Sequence, residues 1–274
     1  MASNLLYLEH YRVAIFLPLS GHSNERTLMK TDLQPAPASA TSKDSSHLNL
    51  NKGDVRGYGD SFDKATQSYW DTFYGKQKTQ SPPSQFAAFI ASEFKNHSLF
   101  IDIGCGNGRD TLFFSYLGHD VIGIDKSSSA IDFCNSQMIS SKEKLSAFMR
   151  GDVSELDLNH PLFKAITHRK KLIYSRFFLH AIQEQKEDEL FEFITQICQH
   201  PEDAIALEFR TVEDEYNPKE AKAHFRRFIS PAELQLKLET QFKLRIEYKV
   251  QGYGLAKYGS EDAHVCRILA SFKP

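Results

Sequence analysis

Four cysteines in 274 residues, at positions 105, 134, 198 and 266 with no CxxC pairing, are too scattered for a zinc ligand set or a disulfide framework. They point to a reduced, cytoplasmic chain. An excess of charge of one sign is also missing: 33 Lys and Arg stand against 35 Asp and Glu, a formal net charge of −2. No global field then draws the chain to nucleic acid or to an anionic membrane, although a local basic cluster is compatible with that balance. No apolar run approaches the ~20 residues of a membrane helix. The stretch 5–19 is interrupted by Glu9, His10, Arg12 and Pro18 and lacks the charged, apolar, small-residue order of a signal peptide. There is no internal repeat. The length and the 41% hydrophobic content leave room for one large domain or two small ones.

Residues 20–57 are rich in Pro, Ala, Ser, Asp and Lys without apolar period, the texture of a linker or arm. From Ser61 the texture changes. "SFDKATQSYWDTFYGK" reads as a short aromatic helix. "SPPSQFAAFIASEF" reads as an amphipathic helix capped by Ser84, with Phe86, Phe89, Ile90 and Phe94 on one face. Strands are expected at 98–103, 120–124, 145–149, 170–174 and 203–209, and helices between them at 109–117, 128–138, 155–165 and 184–199. Such alternation predicts an α/β fold with a parallel sheet covered on both faces. After a further helix at 231–240, two strand-like runs follow with no helix between them, an antiparallel pair closing one sheet edge.

The most informative stretch is "LFIDIGCGNGRDTLFFSYLGHDVIGID", 99–125. A strand that turns at once into a helix needs glycine, which accepts unusual backbone angles and lets a ligand approach the main chain. The helix starting near Arg109 offers free N–H groups to an anion. Asp125, at the end of the second strand, suits the two hydroxyls of a ribose. The spacing is GxGxG, where a dinucleotide fingerprint would read GxGxxG. Asp102, two positions before the first glycine, suits an amine better than a pyrophosphate. Amine, carboxylate and ribose together describe S-adenosylmethionine.

These residues resemble the first motif of the class I S-adenosylmethionine-dependent methyltransferases. Three further segments fall in register: "GID" at 123–125, "RGDVSEL" at 150–156 and "LIYSRFFLHAI" at 172–182. The resemblance implies a Rossmann-like, doubly wound seven-stranded sheet, mostly parallel with an antiparallel last strand. It implies cofactor contacts from Asp102, Gly104, Cys105, Gly106, Asn107, Gly108 and Asp110. Asp125, Lys126 and Ser127 would hold the ribose end, Asp152 the adenine amino group and Val153 its ring, with Ser175 a further contact and Trp70 above. It also divides the chain into an arm at 1–57 and a domain at 58–274, made of a helical lid (58–97), a cofactor-binding core (98–210) and an acceptor-side insert with C-terminal hairpin (211–274).

Methyl transfer is an in-line displacement, so the acceptor must be read from other residues. Arg176, Phe177 and His180 follow the fourth strand; Glu208 and Arg210 end the fifth; His224, Arg226 and Arg227 precede the next helix. Converging arginines would bind phosphate or carboxylate; alternatively, they pair with Glu208, Glu213, Asp214 and Glu215. Arg176 and the base candidates His180 and His224 make up the expected catalytic set. Tyr69, Tyr258 and His264 join the acceptor candidates. No metal set is evident, which departs from catechol-type enzymes, and "YSRF" departs from the N/D-P-P-Y/F signature of enzymes that methylate DNA bases. A weaker similarity, carried by "EFR…HFRRFI…EDAHVCRI", is to methyltransferases associated with bacterial capsule polysaccharide, and the compact layout resembles the tellurite-resistance type. The expected function is methyl transfer to an oxygen of a small anionic metabolite or glycan, without nucleic acid or membrane partners. Thiol, amine or metalloid acceptors and a non-catalytic cofactor-binding module are the rivals.

Overall fold

The computed structural model describes residues 58–274 except 77–78, 139–144, 153–154, 220–223 and 273–274. Among the described residues there are seven strands and seven helices, alternating from the first strand to the sixth. The strands are β1 (Leu99–Ile103), β2 (Asp120–Asp125), β3 (Ser146–Arg150), β4 (Lys171–Arg176), β5 (Ala204–Arg210), β6 (Leu244–Gly252) and β7 (Val265–Phe272). The helices are α1 (Tyr58–Gly75), α2 (Gln85–Glu93), α3 (Arg109–Tyr116), α4 (Ser128–Gln137), α5 (Pro161–Ile166), α6 (Glu184–Ile197) and α7 (Pro231–Thr240). One sheet holds all seven strands in the order β3-β2-β1-β4-β5-β7-β6. β1 to β5 run parallel, and β7 is antiparallel to both β5 and β6.

Period-two alternation along the central strands sorts their side chains between two cores. Leu99, Ile101, Ile103, Ile173, Ile205 and Leu207 pack with α5, α6 and α7 on one face. Phe100, Val121, Leu172, Tyr174 and Ala206 pack with Phe86, Ala87 and Ile90 of α2 and Phe114 of α3 on the other. β5 is buried along its whole length, whereas edge strand β6 is mostly exposed. Among the described residues no helix is long and apolar enough to cross a membrane.

The helix expected at 155–165 is shorter and starts later, at Pro161, with His160 as its N-cap. The ring of Pro161 disfavours helical geometry at the residue before it, so a helix cannot run through His160. Strand order reverses between β1 and β4, and a crevice opens there beyond the carboxyl ends of the strands.

Candidate functional site

The loop after β1 turns on three left-handed glycines, Gly104 (φ 76°), Gly106 (φ 54°) and Gly108 (φ 71°). A Cβ at 104 would run into the ring of Phe178, and one at 106 into the phenol of Tyr74. Backbone and aromatic walls thus approach as only glycine allows. The Gly104 and Cys105 amides donate to the Ile124 carbonyl at 2.8 and 3.1 Å, tying the loop to β2. The first amides of α3 follow immediately.

Beyond this loop lies a cavity of about 600 Å³, within the ~300–1,000 Å³ usual for a small ligand. Its cofactor-side wall includes Asp102, Gly104, Cys105, Asn107, Asp110, Asp125 and Lys126; Tyr69, Trp70, Phe73 and Tyr74 of α1 roof it. The acceptor-side wall includes Arg176, Phe177, His180, Arg210, His224, Arg226, Tyr258 and Glu261. Asp152 borders a small adjoining hollow that shares Gly104, Asp125, Lys126 and Phe178 with the main cavity, and it accepts from Lys186 Nζ at 2.8 Å.

Four predicted residues sit behind this surface. Gly106 and Gly108 shape the loop from beneath, and the Ser175 hydroxyl donates to the Ile103 carbonyl at 3.0 Å. Ser127 caps α4 and donates to Asp71 of α1 at 2.6 Å. Val153 lies outside the described residues. Two of the expected acceptor residues are placed elsewhere. Arg227 turns inward beneath the cavity: it donates to the carbonyls of Ile182 (2.8 Å) and Leu179 (3.1 Å) and pairs with Glu187 at 2.5 Å. His264 lies off the cavity wall, with Nδ1 2.5 Å from the Thr211 hydroxyl.

The carboxylates differ by environment. Burial pushes Asp102 up to about 8, against the hydrogen bond from the Thr111 hydroxyl at 2.5 Å. Burial also raises Asp125, although it accepts from the amides of Ser127 and Gly106, both at 2.9 Å. For Asp110 burial works upward too, but Arg109 and Arg176 outweigh it and hold the group below the usual carboxylate range. Asp110 also accepts from the Ser84 amide and hydroxyl and from the Tyr174 phenol, at 2.7–2.8 Å. Sequence reasoning missed this Ser84–Asp110–Tyr174 junction, because three residues 26 and 64 positions apart carry no local signal.

The acceptor side is densely cationic. Arg176 bonds Glu208 at 2.7 Å, and Glu208 also takes Arg267 at 2.7 Å, so two guanidiniums share one carboxylate. Arg210 pairs with Asp214 at 2.6 Å and with Glu261. Phe177 holds a left-handed backbone (φ 58°), with Arg176 and Arg210 over its ring at 4.1 and 5.1 Å. Strain of this kind concentrates at functional sites. Arg226 differs from its neighbours: no carboxylate pairs with it among the described residues, and its buried Nε has no hydrogen-bond partner. Burial and the nearby Arg210 hold its guanidinium below the usual range. The His224 ring stacks on Tyr69 at 4.5 Å and meets Trp70 edge-on at 5.1 Å, linking the acceptor wall to the aromatic roof.

The residues present fit S-adenosylmethionine: a glycine cradle that a Cβ would fill, a helix N-terminus, and buried carboxyls at the ends of β1 and β2. Comparison with known proteins agrees. The family model of the tellurite resistance protein TehB matches residues 66–201. Among solved structures, an S-adenosylmethionine-dependent methyltransferase from Anabaena variabilis is 17% identical, with TM-score 0.57 over 77% of this chain and 94% of that one. A TehB-like methyltransferase from Corynebacterium glutamicum is 16% identical, with TM-score 0.51 over 78% of this chain and all of that one. The glycopeptide N-methyltransferase MtfA is 13% identical, with TM-score 0.55 over 70% of this chain and 97% of that one. No curated protein matches the sequence. At these identities the structures share the fold, and the family match together with the cradle carries the activity: the chain is a member of the class I S-adenosylmethionine-dependent methyltransferases, an enzyme whose cofactor is S-adenosylmethionine.

Proposed function

We propose that the enzyme moves the methyl group to an oxygen of a small anionic acceptor, a phosphate- or carboxylate-bearing metabolite or glycan end. One observation carries this reading: Arg226 presents a guanidinium to the cavity with no carboxylate partner among the described residues and with a buried, unpartnered Nε. Leaving such a group unmatched is costly, and an oxyanion is its natural complement. Arg210 and Lys219 balance Asp214 and Glu261, and the two arginines sharing Glu208 leave a second surplus positive charge behind Arg226. A cationic amine fits this wall poorly.

Bound S-adenosylmethionine supplies an electrophilic methyl on a sulfonium. Asp102, Asp125 and the glycine loop are proposed to hold it, Lys126 and Asp152 to flank its adenosyl end, and Trp70 with Tyr69 to exclude water from above. Arg226 orients the acceptor, with Arg176 and Arg210 held in place by their carboxylates.

Calorimetric titration of inorganic phosphate into the protein saturated with S-adenosylhomocysteine tests the reading. Arg226→Gln is expected to weaken phosphate binding at least tenfold. Lys170→Gln, at the opposite end of the sheet beside Glu202, is the unaffected control. Equal phosphate affinity in wild type and Arg226→Gln refutes the anion hook. The TehB match favours a second reading, a metalloid oxyanion at the same hook; tellurite-dependent consumption of S-adenosylmethionine distinguishes it.

A further inference from the structure

Resting on the reading that this cavity takes an anion, we infer that the oxygen methylated belongs to the acid group itself, so that the product is a methyl ester and not an ether. A hydroxyl nucleophile must lose a proton during transfer, and needs a wall group to receive it. Among the described residues, the acceptor wall offers no histidine or carboxylate free to do so. The Nδ1 of His180 accepts the Arg210 amide at 3.4 Å, which places the ring proton on Nε2 and leaves the imidazole only a donor. Burial and then Arg210, Arg226, His224 and Arg176 hold it neutral, well below the usual histidine range. The Nε2 of His224 faces a guanidinium nitrogen of Arg226 at 3.2 Å, and a guanidinium only donates. That lone pair is therefore engaged, and the other ring nitrogen carries the proton. Glu261 is paired with Arg210. Burial pushes the Tyr69 phenol up, so it stays protonated. Asp102, Asp110 and Asp125 belong to the glycine-loop end of the cavity.

The same wall is suited to a nucleophile that arrives already ionised. A carboxylate (pKa about 4) or a phosphate monoester (second pKa about 6) is an anion at neutral pH and needs no base. With one oxygen held by Arg226, the other oxygen's lone pair forms the O–CH₃ bond. The S–CH₃ bond breaks, its electron pair stays on sulfur, and no proton moves. Methylation cancels one negative charge, which weakens the hold of Arg226 and favours product release. The two histidines expected from sequence as bases act here as supports of the arginine cluster.

The test uses three probes that each carry an acid and a hydroxyl in one molecule: 3-hydroxybenzoate, glucuronate and glucose 6-phosphate. Binding to the full chain with S-adenosylhomocysteine is measured first by calorimetry, then transfer from S-adenosylmethionine labelled with carbon-13 at the methyl. Label on a carboxylate oxygen is released as methanol by mild alkali; label on a phosphate oxygen couples to phosphorus in the NMR spectrum. Either result supports the inference and tells the two acids apart. Label on a hydroxyl, or probes that bind and stay unmethylated, overturns it and leaves the anion hook standing. Failure of all three to bind removes the hook itself, and the inference with it.

Discussion

Asp102 shows how one side chain can stand for both the legible and the hidden parts of this site. Its place two residues before Gly104 was readable in the sequence, but its burial was not. A native carboxyl raised to about 8 binds more protons than the unfolded chain from about pH 4 to about pH 8, so it makes stability fall as pH rises through that window. Asn removes this dependence while keeping an acceptor for Thr111. Thermal melts of the ligand-free protein should therefore fall more steeply from pH 5 to pH 8 in wild type than in Asp102→Asn; parallel curves refute the buried, protonated carboxyl. Gly104 carries a different constraint. Alanine there combines a left-handed backbone with a Cβ inside the Phe178 ring, at a cost of about 2 kcal/mol or more. Gly104→Ala is expected to melt several degrees lower and to lose cofactor binding by calorimetry, and wild-type values for both would refute the close approach. Arg176, Arg210 and Arg227 were equally visible as basic residues near strand ends. Two of the carboxylates the sequence offered as partners are used, Glu208 by Arg176 and Asp214 by Arg210, whereas Glu261 and Glu187, 51 and 40 positions from Arg210 and Arg227, carried no local signal.

At the scale of elements, caps and periods were readable because their physics is local. Ser84 and Ser230 cap α2 and α7, each accepting from the amide three residues on, and five parallel strands fall within a residue or two of their expected places. α5 was misplaced because a proline-set start outweighed a plausible apolar run. The Ser84 cap does more than its motif states, since its hydroxyl also donates to buried Asp110 at 2.7 Å. Ser84→Ala therefore loses a cap worth ~1 kcal/mol and leaves a buried carboxylate short of a donor, another ~1–3 kcal/mol. Chemical denaturation should show a loss of about 2–4 kcal/mol with an unchanged slope; a change under 1 kcal/mol would mean that Asp110 finds another donor. α1 is tied to the rest through Asp71, which accepts from Ser127, and through His224 on Tyr69 and Trp70. Trp70 is the single tryptophan of the chain. Its fluorescence should change on cofactor binding, and Trp70→Ala should raise the cofactor Kd at least fivefold.

For the whole molecule, the doubly wound order was legible because alternating apolar strands and amphipathic helices admit few topologies. The reversed β7 followed from two strands with no crossover helix between them. Composition concealed the acceptor wall: a net charge of −2 averages away a cluster of arginines gathered from β4, β5 and the segment before α7. The same architecture sets how ligand binding reads out in stability. The cofactor-side wall draws on α1, the β1 loop and the end of β2, and the acceptor side on β4, β5 and the β6–β7 connection. A ligand spanning that crevice touches elements from both sides of the switch point and so binds the folded sheet alone. Binding to the native state alone stabilises by about 2.7 kcal/mol at a hundredfold excess over Kd, and a domain of this size gains ~2–4 °C per kcal/mol. S-adenosylhomocysteine at that excess should therefore raise Tm by about 5–10 °C. Phosphate added on top should give a further rise in wild type that Arg226→Gln lacks. A melting temperature that stays flat with S-adenosylhomocysteine, however much is added, would mean that the crevice does not take the cofactor across both halves.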